Sequence, residues 1–167
     1  INNSKYWNEA LETQSRDELE AQQLKDLKEI VQFAYDNAPY YKRSFDAAGV
    51  KPSDIKTLKD IEKFPFINKK TQRETQGVGS FLGELCAVPE DEVVFISTSS
   101  GSTGVPTISP FTAKDFDEFQ DTEARWFWQV GVRPQDRYVH ALNFSLYVGG
   151  PDVIGAQRTG ALCIWGG

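Results

Sequence analysis

The stretch Ser97–Gly104 contains only serine, threonine and glycine, in the order STSSGSTG, followed by Val105, Pro106 and Thr107. Glycine admits positive φ and lets a ligand approach the backbone closely. Serine and threonine add hydroxyl donors beside the freed N–H groups. Together they can wrap an anion, and phosphate suits such a concavity best. The segment is not a Walker A loop, because no lysine follows Gly104. It is not a G-x-G-x-x-G turn either. The same composition also suits a flexible connector between two strands. Its place directly after the apolar run Val93–Ile96 favours the ligand reading, since α/β ligands sit at the carboxyl ends of strands.

Other residue types offer less chemistry. Cys86 and Cys163 are far apart and form no CxxC pair, and with the single His140 they cannot make a four-ligand zinc site. Both read as reduced thiols of a cytoplasmic protein. His140 stands in an apolar strand pattern, where a histidine is either a packed residue or a pocket group. Trp126, Phe127 and Trp128 are too densely spaced for one helix face, and read as core plus contact surface rather than a cofactor stack. Asp115 and Asp117 have no neighbour that would make them an acid–base pair.

The elements that position these residues follow from periodicity and caps. Ser15 and Glu18 form a capping box for a helix over 15–38, with Leu24, Leu27, Val31, Ala34 and Ala38 at helical spacing. Pro39 opens a second helix and Gly49 ends it. Thr57 caps a short helix that stops before Pro65, and Asn68 caps another over 69–75. The pattern then changes. Residues 93–98 predict a strand, TISPF at 107–111 is short and extended, and Thr112 with Asp115 opens a helix to about Val130. Residues 138–142 and 161–165 predict two more strands, with a helix over 150–159 between them. Strand, helix, strand, helix, strand implies a parallel α/β arrangement. The expected organisation is a helical region over 1–88, then the start of an α/β domain over 89–167. The three-strand sheet is incomplete as it stands, so the chain reads as the front part of a larger protein.

Bulk properties bound the partners. The 167 residues are 40% hydrophobic and 25% charged, an ordinary globular usage. A net charge of −6 argues against nucleic acid and against an anionic membrane surface. No run of 18 apolar residues is present, and the polar start INNSKYWNEALE lacks the apolar region of a signal peptide.

SSGSTGVPT at 99–107 resembles the phosphate-binding loop of the adenylate-forming (AMP-binding) enzymes. The rest of the chain resembles the phenylacetate–coenzyme A ligase branch of that group. The segments that carry this are YWNEALET, the run LEAQQLKDLKEIVQFAYDNAPYYKRSFDAAGVKPSDIKTLKDIEKFPFINK, VGVRPQDR and HALNFSLYVGGPDVIGAQRTGALCIWGG. The resemblance covers essentially the whole chain and matches the N-terminal part of that family.

It implies an ATP-dependent acid–coenzyme A ligase. A carboxylate attacks the α-phosphorus of ATP, supplied with Mg²⁺, and pyrophosphate leaves. The coenzyme A thiol then attacks the acyl-adenylate and AMP leaves. Ser99, Ser100, Gly101, Ser102, Thr103 and Gly104 match the loop and would hold the β- and γ-phosphates. The segment 140–150 matches the acyl-pocket lining, which assigns Leu142, Tyr147 and Gly149 to the acid, a small aromatic or aliphatic carboxylate. No catalytic residue and no protein-bound metal is assigned.

Two features depart from the family pattern. Val105 stands where this branch usually has a lysine, and Thr107 where the wider group often has one, so the loop carries no cation of its own. Leu142 stands where an aromatic is usual, while Tyr147 keeps one. The resemblance places the adenine- and ribose-binding residues and the catalytic lysine beyond residue 167, so this chain alone is expected not to turn over. It also admits a homodimer through the helical region. The alternatives are a carboxylate-adenylating enzyme with another acceptor, of acyl-protein synthetase or capsule-biosynthesis type, and a diverged, non-catalytic module.

Overall fold

The computed structural model describes residues 4–101, 104–143 and 149–166. They form two compact units, residues 14–92 and the described residues of 1–13 together with 93–167.

In the unit of residues 14–92, α2 (Arg16–Asn37) packs against α3 (Pro39–Ala48); α1 (Glu9–Glu12) belongs to the other unit. The predicted capping box is present: the Glu18 N–H donates to Ser15 Oγ at 3.3 Å, and the Ser15 N–H donates to the Glu18 carboxylate at 2.9 Å. Pro39 occupies the first turn of α3, where its missing N–H costs nothing, and the helix ends at Gly49. Two short 3₁₀ turns follow (Pro52–Asp54 and Leu58–Lys63), then α4 (Lys69–Thr75), capped by the Asn68 side chain. The apolar stripe of α2 buries Val31 against Phe45, Ile55 and Phe64, flanked by Leu24, Leu27 and Tyr35. Phe45 and Phe64 meet edge to face with centroids 4.9 Å apart, a favoured aromatic geometry. Arg43 grips Glu84 through two bonds of 2.7 Å.

The second unit holds β1 (Val93–Thr98), β2 (Ile108–Thr112), α5 (Ala113–Gln129), β3 (Arg137–His140), α6 (Gly149–Arg158) and β4 (Leu162–Trp165). The α/β class is as the sequence predicts. The pairing of the first strand is not. β1 pairs antiparallel with β2, through Thr98↔Ile108, Ser97↔Ser109 and Ile96↔Pro110. The Ser/Gly-rich stretch is short enough to fold the chain straight back, and a hairpin satisfies both strands at the smallest loop-closure cost. β3 and β4 pair parallel, with Tyr138↔Cys163 and His140↔Trp165 in register, and α6 connects them.

Aromatic residues bind the hairpin to α5: Phe95 lies 4.8 Å from Phe116, and Phe111 lies 5.7 Å from Phe119. The Trp-Phe-Trp run divides as its spacing demands. Trp128 is buried, Phe127 meets Tyr138 edge to face, and Trp126 is exposed. Trp128 packs on Trp7 at 5.5 Å and takes the Arg133 guanidinium over its ring. α5 and α6 pack closely enough that a Cβ at Gly155 would overlap the Glu123 side chain. Among the described residues, no helix is long and apolar enough to cross a membrane.

Candidate functional site

The Ser/Thr/Gly stretch forms the connection of the β1–β2 hairpin, and its neck is locked by side chains. The Ser99 N–H donates to the Thr107 carbonyl at 3.0 Å. In return the Thr107 N–H donates to Ser99 Oγ at 3.0 Å, and the Thr107 hydroxyl lies 3.1 Å from the same oxygen. Thr107 is buried by this closure, while Ser100 and Val105 remain exposed. Ser99 Oγ accepts the Thr107 N–H, which leaves its own hydroxyl hydrogen available for a ligand or neighbour.

Gly101 has a φ of 67°, a left-handed conformation that favours glycine. A Cβ there would stand 2.8 Å from Pro106 Cγ and 2.9 Å from the Gly104 carbonyl oxygen. The Gly104 N–H closes a turn onto the Gly101 carbonyl at 2.9 Å. The proline, the two glycines and the Ser99–Thr107 lock thus form a compact bend with little side-chain bulk. That is the shape in which backbone N–H groups can converge on an anion. Ser102 and Thr103 lie outside the described residues.

Thr107 also explains one departure from the expected pattern. Where the wider group often has a lysine, this chain has a buried residue whose N–H and hydroxyl hold the neck shut. Val105, the other departure, is exposed. Ser97, two pairs below the neck, is buried, and its Oγ has no hydrogen-bond partner among the described residues.

The segment matched to the acid pocket begins at the carboxyl end of β3, the usual ligand end of an α/β strand. Leu142 is half exposed. Gly149 opens α6, and Tyr147 lies outside the described residues. The structure therefore brings Leu142 and Gly149 to the two sides of one connection.

Sequence reasoning missed the polar cluster beneath that connection. Tyr138 and His140 alternate along β3 and point to the same face. The Tyr138 hydroxyl donates to Asp152 Oδ2, in the first turn of α6, and stands 3.3 Å from His140 Nδ1. His140 Nδ1 is 3.2 Å from the same Asp152 oxygen. His140 is fully buried and packs edge to face on Trp165 at 5.6 Å, so the packed-residue alternative describes it. Burial, and then the bond to Asp152, push the Tyr138 phenol well above its ordinary range. Burial and the Asp152 charge also raise the Glu123 carboxyl and the Cys163 thiol. The available signal was Tyr-x-His on a strand with an acid in the first turn of the next helix.

No protein-family model matches the chain. Among characterised proteins, it is 41% identical over 155 residues to the phenylacetate–coenzyme A ligase of Escherichia coli (strain K12), covering 92% of this chain and 34% of that protein. It is 40% identical over 157 residues to the phenylacetate–coenzyme A ligase of Aromatoleum evansii, covering 93% and 34%. Among solved structures, it superposes on 2-hydroxyisobutyryl-CoA ligase in complex with 2-HIB-AMP with a TM-score of 0.90 and 31% identity, covering 100% of this chain and 36% of that one. The complex of that ligase with 2-HIB-AMP and CoA gives a TM-score of 0.90 at 32% identity, covering 98% and 35%. The chain thus spans about a third of the length of the relatives it matches.

Proposed function

We propose that this chain, a homologue of the phenylacetate–coenzyme A ligases over nearly all of its length, supplies the phosphate-binding loop and part of the acid pocket of an ATP-dependent acid–coenzyme A ligase. The observation that carries the reading is the 41% identity that extends over 155 residues of the chain. In this reading residues 89–167 begin the nucleotide-binding domain and 1–88 form its helical approach.

Each part of the chain takes a role in the first half-reaction. Ser99, Ser100, Gly101, Ser102, Thr103 and Gly104 bind the β- and γ-phosphates of MgATP through N–H and hydroxyl donors. Pyrophosphate carries away the charge they neutralise, so donors fixed before reaction favour its departure. The locked neck at Ser99 and Thr107 supplies that fixity, and the Gly101–Gly104 turn supplies the room. Leu142, Tyr147 and Gly149 form an apolar wall for the R group of the acid. Its carboxylate oxygen attacks the α-phosphorus, breaking the bond to the bridging oxygen of pyrophosphate. The acyl-adenylate then passes to the coenzyme A thiol, with AMP as the leaving group. Leu142 in place of an aromatic favours an acid that differs in shape from phenylacetate.

The experiment is ATP–pyrophosphate exchange by the full-length gene product with a panel of aryl, arylacetic and short aliphatic acids, followed by thioester formation with and without coenzyme A. Acid-dependent exchange and a coenzyme A-dependent thioester are expected. Exchange without thioester would indicate another acceptor, and no exchange with any acid would overturn the reading in favour of a non-catalytic module.

A further inference from the structure

Asp152 stands fourteen residues from Tyr138 in sequence, yet its Oδ2 collects both the Tyr138 hydroxyl and the His140 Nδ1. One side of this contact lies on β3 and the other in the first turn of α6. The contact therefore ties the carboxyl end of β3, which Leu142 follows, to the first turn of α6, which Gly149 opens.

The chemistry of the cluster fixes the proton arrangement. The Tyr138 hydroxyl gives its hydrogen to Asp152, so in its 3.3 Å contact with His140 Nδ1 it can only accept, and the imidazole carries its hydrogen on Nδ1. His140 Nε2 is buried without a partner among the described residues, and a hydrogen there would be an unsatisfied donor. The other titratable groups facing the cluster are Glu123 on α5 and Cys163 on β4. Among the described residues neither bonds the imidazole ring, whose Nδ1 faces Tyr138 and Asp152.

We propose that Tyr138, His140 and Asp152 form a hydrogen-bonded tie between the carboxyl end of β3 and the first turn of α6, and that they are positioning residues for the acid through Leu142 and Gly149. The acid-binding part rests on the ligase reading above. The tie itself does not.

The test uses the full-length gene product. Imidazole ¹⁵N spectroscopy, with the His140 signal assigned by its loss in His140→Gln, is expected to show hydrogen on Nδ1 and none on Nε2 at neutral pH. Asp152→Asn should remove that preference. Asp152→Asn and the milder Tyr138→Phe should raise KM for the acid, by about tenfold for the first, and leave KM for ATP nearly unchanged. Hydrogen on Nε2, or KM values for acid and ATP rising together, would overturn the proposal. Should the wild type show no acid-dependent exchange, the ligase reading falls separately. The tie is then decided by hydrogen exchange: acceleration confined to residues 138–152 in Asp152→Asn supports it, and unchanged exchange there refutes it.

Discussion

Ser99 and Thr107 hold each other across the base of the hairpin loop, the Thr107 N–H and hydroxyl both within 3.1 Å of Ser99 Oγ. This lock makes the loop a shaped bend rather than a tether. It gives the hydroxyl at 107 a structural task that a lysine could not perform.

Replacing Thr107 with valine keeps the shape and the N–H but deletes the hydroxyl. The loss of one half-buried hydrogen bond should lower stability by about 1 kcal/mol. KM for ATP should rise several-fold, about the effect of one misplaced donor pair. Thermal denaturation and exchange kinetics at varied ATP check both. An unchanged KM would separate the lock from nucleotide binding.

Gly101→Ala puts a methyl group 2.8 Å from Pro106 Cγ on a backbone with positive φ. Strain of about 1–3 kcal/mol is expected, confined to the loop. ATP–pyrophosphate exchange should fall steeply while the helical content by circular dichroism stays the same. Wild-type exchange in this variant would remove Gly101 from the site.

Val105→Lys returns a cation to an exposed position beside the loop. A flexible ammonium near the phosphates is worth about 1 kcal/mol at low salt, or about fivefold in KM for ATP. The gain should shrink as salt is raised, and a KM titration at two ionic strengths reads it directly. No gain at low salt would mean that the triphosphate lies elsewhere.

In the unit of residues 14–92, Phe45 touches Phe64, Tyr35 and Tyr41. Phe45→Ala should cost about 3–5 kcal/mol, as for other buried aromatic truncations. Urea unfolding followed by circular dichroism would report the shift in midpoint. A loss under 1 kcal/mol would place Phe45 outside the stabilising core.

Acid sensitivity of the same unit follows from its paired carboxylates. Arg43 holds the Glu84 carboxyl below its ordinary range, and Lys51, with Tyr35, does so for Asp46. Groups lowered in the folded state stabilise it above the unfolded pKa and cease to do so as pH falls through the folded one. Stability should therefore be level from pH 7 to about 5 and decline below about 4. Urea midpoints across that range test it, and Glu84→Gln should flatten part of the decline.

The helices were legible because their signals are local. Ser15 with Glu18, and Thr112 with Asp115, are three residues apart and bond to each other wherever the rest of the chain goes. The loop was legible by composition. The antiparallel pairing of β1 was not, because Val93–Thr98 reads as a strand whichever neighbour it finds. Nor was the meeting of Tyr138, His140 and Asp152, which depends on the phase with which α6 returns over β3. The role of Thr107 was hidden for a related reason. Its sequence position marks a missing charge, whereas its contacts are made eight residues away with Ser99.

Trp7 and Trp128 face each other at 5.5 Å with their planes inclined by 58°. Two indoles so close and so inclined are coupled chromophores, and their paired absorption bands acquire opposite rotational strength. The protein thus carries an optical gauge of whether its first described residues are docked on α5, readable without any label.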